Sequence, residues 1–172
     1  RGLIINSSYL LLTCVVKLFA LNQFEKALKK QGIIYSNIIV KPTAFNIILW
    51  NANVSTDDDY LLSDYSLLDS QPISFKNYNK NKILESKLKG NPDFDKLKKI
   101  SEGWYLISEN KNTLYFNDLR FGLLNNSPQN PQFAFSYKFI NTGSGLIAVE
   151  VPKEKRDGKL LLEKIFIRLK GN

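Results

Sequence analysis

Hydrophobic positions fall into three regimes along the chain. From Tyr9 to Leu21 they are nearly continuous, broken only by Thr13 and Lys17. Phe24, Ala27 and Leu28 then oppose Glu25, Lys26, Lys29 and Lys30, a spacing that belongs to an amphipathic helix. Beyond Gly32 apolar and polar positions alternate with a period of two. The first two regimes predict one helix over about residues 8–31, with Ser7 or Ser8 as cap, Lys29 and Lys30 suited to its C-terminal end, and Gly32 as its stop. A bilayer span takes about 20 apolar residues, and the Tyr9–Leu21 run is shorter and carries Lys17. The leading expectation is therefore a long helix packed on a sheet. The other is a helix that continues from, or lies near, a membrane.

Strands are expected near residues 33–40, 45–55 and 60–67, with a break at Pro42 and a polar turn at Asp57–Asp58–Asp59. In the second of these Ile48, Trp50, Ala52 and Val54 share one face. A basic helical stretch follows, interrupted at Gly90-Asn91-Pro92. Asn79 or Asn81 is placed to cap its first piece and Asn91 its second, and Leu84, Leu88, Phe94, Leu97 and Ile100 form the buried stripe. Strands return near 104–109, 113–119 and 133–140, with a polar loop containing Pro128 and Pro131 and an edge strand after Gly145. The end, from Lys159, suits a short amphipathic helix or a strand. This is an α+β chain: a mostly antiparallel β-sheet packed against a long N-terminal helix and shorter helices.

Composition narrows the picture. A chain of 172 residues, 44% hydrophobic, suits a single soluble domain over residues 1–172. It begins at Arg1 and contains no Met, so it is expected to be an excised piece of a longer protein. The net charge is +8, yet Lys far outnumbers Arg, which occurs only at Arg1, Arg120, Arg156 and Arg168. Base and bidentate phosphate recognition lean on Arg. The charge therefore favours solubility or attraction to an anionic surface, and points away from nucleic acid. The one cysteine, Cys14, reads as a small core residue. Because the sequence contains no His, imidazole zinc sites and His-based triads are excluded for this chain.

Candidate chemistry is sparse. "GSGLIAVE" lacks the Lys-Ser/Thr pair of a phosphate loop, so Gly143 and Gly145 read as turn residues. Asp57, Asp58 and Asp59 do not continue into a calcium-loop pattern and read as a solvated turn. No metal or cofactor is assigned. Trp50, Tyr65, Tyr105, Tyr115 and Tyr137 sit in strands, where they serve either core packing or a ligand surface. In "YFNDLRFG", Asp118 can accept backbone N–H bonds or hold Arg120, and Gly122 gives the exit its backbone freedom. A strand-end fastening is the structural reading of that pair. An anion clamp built on Arg120 is the functional one.

"YSNIIVKPTAFNIILWNANVSTDDDYLLSDYSLLD", followed by "GWYLISENKNTLYFNDLRFG", resembles the C-terminal soluble region of the YdjM-like membrane-bound, predicted metal-dependent hydrolases. The likeness rests on Pro42, Thr43, Phe45, Asn46, Trp50, Tyr60, Tyr65, Ser66, Leu67, Asp69 and Asp118 through Gly122, within about residues 8–140; Ala44 replaces a second Pro. The resemblance implies a parent hydrolase whose metal-binding histidines lie in an N-terminal multispanning region. This chain would follow that region and have it as its partner, in a membrane-associated protein. The expected function is a non-catalytic accessory domain that recognises or positions a ligand or partner near the membrane. Candidate binding residues are Arg120, Asp118, Trp50, Tyr65 and Tyr105. The alternatives are an autonomous hydrolase using acids around Asp64, Asp69 or Asp118, and a purely structural or protein-interaction domain.

Overall fold

A computed structural model describes residues 2–123, 131–143, 145–152 and 158–172. The order is α1 (Gly2–Lys30), β1 (Asn37–Pro42), β2 (Leu49–Ser55), β3 (Asp59–Ser66), β4 (Lys76–Asn79), α2 (Lys82–Ser86), α3 (Pro92–Ile100), β5 (Tyr105–Asn110), β6 (Thr113–Leu123), β7 (Phe133–Asn141), β8 (Leu146–Glu150) and α4 (Gly158–Leu169). The fold is α+β, with two four-stranded antiparallel sheets ordered β1-β2-β3-β4 and β5-β6-β7-β8. Two compact units form: Arg1–Asp57 with Leu61–Lys76 and Asp157–Asn172, and Asp58–Tyr60 with Asn77–Arg156. The expected loop at Pro128 lies outside the described residues.

In the first unit α1 starts well before the expected cap. Leu3, Ile4 and Ile5 carry the apolar helical run upstream, so Ser7 and Ser8 become interior helical positions. Its second half packs as the spacing predicts. Ala20, Phe24 and Leu28, one turn apart, are fully buried against Val40, Trp50, Ala52, Val54 and Leu61. Burial of side chains such as Phe24 and Leu28 stabilises by roughly 1.5–3 kcal/mol each. Its first half departs from expectation, because Leu3, Leu10, Leu11, Val15 and Leu18 are all more than half exposed. Cys14 is exposed with them, not in a core. The helix closes at Gly32, with Ile33 N–H donating to Leu28 O.

β1 begins only at Asn37 and β2 only at Leu49. Residues between them form a loop closed by side chains, which occupies the positions the alternation had assigned to strand. Asn37 pairs with Ser55 and Pro42 with Trp50. The segment Lys76–Asn79 forms a fourth strand, where the basic stretch beginning at Asn77 is expected to lead into a helix. At the other end of the chain, the last apolar stretch is a helix, α4.

The second unit is a β5-β6-β7-β8 meander covered by α2 and α3 on one face. Leu84, Leu88, Phe94 and Leu97 from the helices meet Tyr105, Ile107, Leu114, Phe116 and Phe139 from the sheet. Ile100, expected in that stripe, is 52% exposed. Asn91 caps α3 by accepting from Phe94 N–H at 3.0 Å, with Pro92 in the first turn. Asn91 Nδ2 also donates to Leu146 O at 2.6 Å, and Ala148 N–H donates to Asp93 Oδ2 at 2.9 Å, so the helix start is sewn to β8. Asn81, in the left-handed region, caps α2, and Asn79 Oδ1 in turn accepts from Asn81 N–H.

Candidate functional site

"NDLRFG" lies inside a strand, not at its end. β6 runs on to Leu123, and its register with β7 shifts between Asp118 and Leu123, a bulge in which Gly122 takes φ +70°. The bulge hides the strand's continuation from a period-two pattern. Asp118 is buried, and Arg120 turns back onto it within the same strand. Nε donates to Oδ1 at 3.2 Å and Nη2 to Oδ2 at 2.8 Å, while Arg120 N–H donates to Oδ1 at 2.9 Å. Nη1 stands 3.7 Å from Glu102, and the guanidinium lies over the Phe121 ring. These hydrogen bonds to Asp118, opposed by burial, raise the Arg120 pKa and keep it charged. The carboxylate takes up the Nε–Nη2 edge that an anion clamp would offer, so the geometry is that of a fastening across the bulge.

The aromatic candidates separate. Trp50 is fully buried in the first core, its Nε1–H donating to Ile47 O at 2.9 Å. Tyr105 is buried in the second, stacked on Phe116 at 4.8 Å, with its hydroxyl donating to Glu85 at 2.7 Å. Burial first, and then the Glu85 bond and charge, push the Tyr105 phenol far up, so it remains a donor. Tyr65 lies at a concavity. Its ring meets the edge of Phe24 at 5.9 Å, and it lines an open groove of about 360 Å³ beside α1.

That groove has α1 as one wall, through Gln23, Lys26 and Lys30, and the chain after β3 as the other, through Asp69, Gln71 and Ile73. Lys26 and Lys30 stand one helical turn apart, and neither has a carboxylate partner among the described residues. Asp69 does not neutralise them, because Arg168 of α4 takes its carboxylate. Arg168 Nη1 and Nη2 donate to the two Asp69 oxygens at 2.5 and 2.6 Å, and Nε donates to Asp64 Oδ1 at 2.8 Å. Ser66 N–H adds a bond to Asp69 at 2.9 Å. Burial works to raise the Asp69 pKa, but these bonds and the Arg168 charge outweigh it and hold the carboxyl below its ordinary range. Arg168 is raised in turn, first by the Asp69 bonds. Around this node the chain end is stapled down: Ser66 Oγ–H donates to Leu169 O and Ser70 Oγ–H to Asn172 O. A Cβ at Gly171 would collide with Leu68 O, which explains glycine there.

Asp64, Asp69 and Asp118 are therefore all held by arginines. Asp58 is paired with exposed Lys82, and Asp59 accepts from Asn77 and Asn79. No group of three acids or cysteines placed to hold a metal occurs among the described residues. Sequence reasoning missed the groove that Lys26 and Lys30 line and the hold of Arg168 on two acids. The two lysines read as the solvated face of a helix, and the Arg168 partners lie about a hundred positions upstream.

The first half of α1 presents an apolar surface that nothing in the first unit covers. Leu3–Lys30 is long and apolar enough to cross a membrane, and its most apolar window is only 6% buried, as in a transmembrane or signal segment and unlike a core helix. Within it, Thr13 donates its hydroxyl to Tyr9 O at 2.9 Å, so that polar side chain is satisfied inside the helix. No family model, curated protein or solved structure matches the chain.

Proposed function

We propose that this chain is a membrane-anchored, non-catalytic accessory domain that holds an anionic ligand or partner segment close to the bilayer surface. The observation that carries the reading is the continuity of α1. One unbroken helix is exposed and apolar at its start and fully buried in the first unit's core at Ala20, Phe24 and Leu28. Leu3 to Leu21 spans roughly 27 Å at 1.5 Å per residue, close to the ~30 Å hydrocarbon thickness. Lys26 and Lys30 then fall about 8 and 14 Å beyond that edge, at the outer limit of the headgroup region and about one helical turn outside it. The groove they line is thus suited to phosphate or carboxylate groups, and Tyr65 adds a hydroxyl. The reading agrees with the resemblance to YdjM-like proteins, in which a soluble region follows membrane-spanning helices.

The test uses the full chain with phosphatidylcholine vesicles, with and without phosphatidylglycerol. Flotation that survives an alkaline carbonate wash is expected, together with no turnover of ester, amide or phosphodiester probes with or without divalent metal. Protein left at the bottom of the gradient would defeat the anchor. Turnover by this chain alone would defeat the accessory role.

A further inference from the structure

The loop between β1 and β2 holds a second apolar projection. Phe45 is 94% exposed and adopts φ +63°, a left-handed conformation that side chains other than glycine rarely take. The loop around it is tightly fixed. Asn46 Oδ1 accepts from Ile48 N–H at 3.0 Å and Leu49 N–H at 2.7 Å, and its Nδ2 donates to Ala44 O at 3.1 Å. Thr43 Oγ1–H donates to Leu49 O at 2.7 Å, and the buried Trp50 indole donates to Ile47 O. An aromatic ring is thus held out in solvent by a rigid base.

The register shows which way this loop faces. Gly32 ends α1, and only a short link leads to Asn37, so β1 starts beside the C-terminal end of the helix. Ile33 stays bonded to Leu28, and Gln31 Nε2 donates to Ile73 O at that same end. β1 therefore runs back along α1, with Val40 among Ala20, Phe24 and Leu28. Leu67 N–H donates to Ile48 O, which sets Tyr65 level with Trp50, and Tyr65 meets Phe24, higher on the helix. From Asn37 to Pro42 the strand climbs by roughly 16 Å at about 3.3 Å per residue. Lys30 to Phe19 is a climb of about 16 Å. The Thr43–Ile48 loop and the neighbouring Leu68, 60% exposed, thus sit at the level where the free apolar length of α1 departs, and face the same way.

We infer that Phe45 is a membrane-contact residue: together with Leu68 it inserts into the interfacial layer of the bilayer that α1 crosses, and fixes how the first unit stands on that surface. This rests on the anchoring reading. The committed occupant is lipid, because the loop shares its end of the sheet with a helix of bilayer length. Ile34, 90% exposed, lies at the opposite end, beside the helix C-terminus.

The experiment places a single added tryptophan in the full chain by Tyr9→Trp, Phe45→Trp or Ile34→Trp. Each variant is reconstituted in phosphatidylcholine vesicles whose acyl chains are brominated near the headgroup end. Trp50 and Trp104 are 0% and 5% exposed and give a background read from the parent chain. All three sites are exposed, so the substitutions leave both cores alone. Phe45→Trp is expected to lose about half or more of its added emission, as a ring within the ~5–10 Å interfacial layer would, while Ile34→Trp keeps its emission. If Tyr9→Trp is quenched but Phe45→Trp is not, the contact is overturned and the anchor stands. If Ile34→Trp is quenched as strongly as Phe45→Trp, the orientation is wrong. An unquenched Tyr9→Trp removes the anchor itself, and the inference with it.

Discussion

Placing two arginines in the middle of the exposed helix, Leu11→Arg with Val15→Arg, is expected to release the chain from membranes without unfolding it. The two sites are four residues apart on α1, at 68% and 57% exposure, and touch neither core. An arginine near the centre of a bilayer span costs about 2.5–3.5 kcal/mol on insertion scales, so the pair costs on the order of 5–7 kcal/mol. That shifts the partition by about a thousandfold or more. Flotation with vesicles reads the loss, and near-ultraviolet circular dichroism of the released chain should match the parent. Retention of the double variant on vesicles would mean that α1 does not provide the attachment. Loss of the near-ultraviolet signal would mean that the first half of α1 packs in a core after all.

The second large effect is expected at Arg168→Leu. Asp69 has a side chain only 3% exposed, and the substitution strips its carboxylate of both guanidinium bonds. Breaking one side of a buried pair costs about 3–5 kcal/mol. Arg168 and Asp64 retain 21% and 30% exposure, so solvent screening favours the lower end, about 3 kcal/mol. Urea unfolding followed through Trp50 measures it, and adding Asp69→Asn should recover part of the loss. A cost below about 0.5 kcal/mol would mark the node as an ordinary surface pair.

The pH dependence follows from the direction of the Asp69 shift. Its folded pKa is depressed, so the stabilisation is fully present above the unfolded carboxyl value of about 3.9 and is lost as pH falls through the lower folded value. Arg168, raised further, stays charged throughout that window. Below about pH 4 the parent chain should lose this stability, and Arg168→Leu should show a flatter acid limb.

The sequence was most legible where local rules act alone. Asn91-Pro92 announced the start of α3, and the "SENKNT" turn between two alternating stretches announced the β5–β6 pair, because caps and turns involve neighbours only. The break at Gly122 misled, since a bulge lets a strand continue where its alternation fails. β4 was missed because only Tyr78 of its four residues is buried, too little for a pattern to register. The first half of α1 was misjudged from its start: counting from Ser8 omitted Leu3, Ile4 and Ile5 and made the apolar run too short for a bilayer. Of the site, Asp118 with Arg120 was legible as a fastening because the partners are two positions apart. The hold of Arg168 on Asp64 and Asp69 spans most of the chain, and only the folded structure brings those three together.

Amide hydrogen exchange of the full chain in lipid nanodiscs, residue by residue along α1, tests the anchor most directly. In bilayer, amides from about Ile5 to Val15 should be protected as strongly as those of Ala20–Leu28, because lipid excludes water from a stretch of helix that the core does not cover. Without lipid the first stretch should exchange quickly while Ala20–Leu28 stays protected by its core. Rapid exchange of Ile5–Val15 within the nanodisc would contradict the membrane-anchored reading.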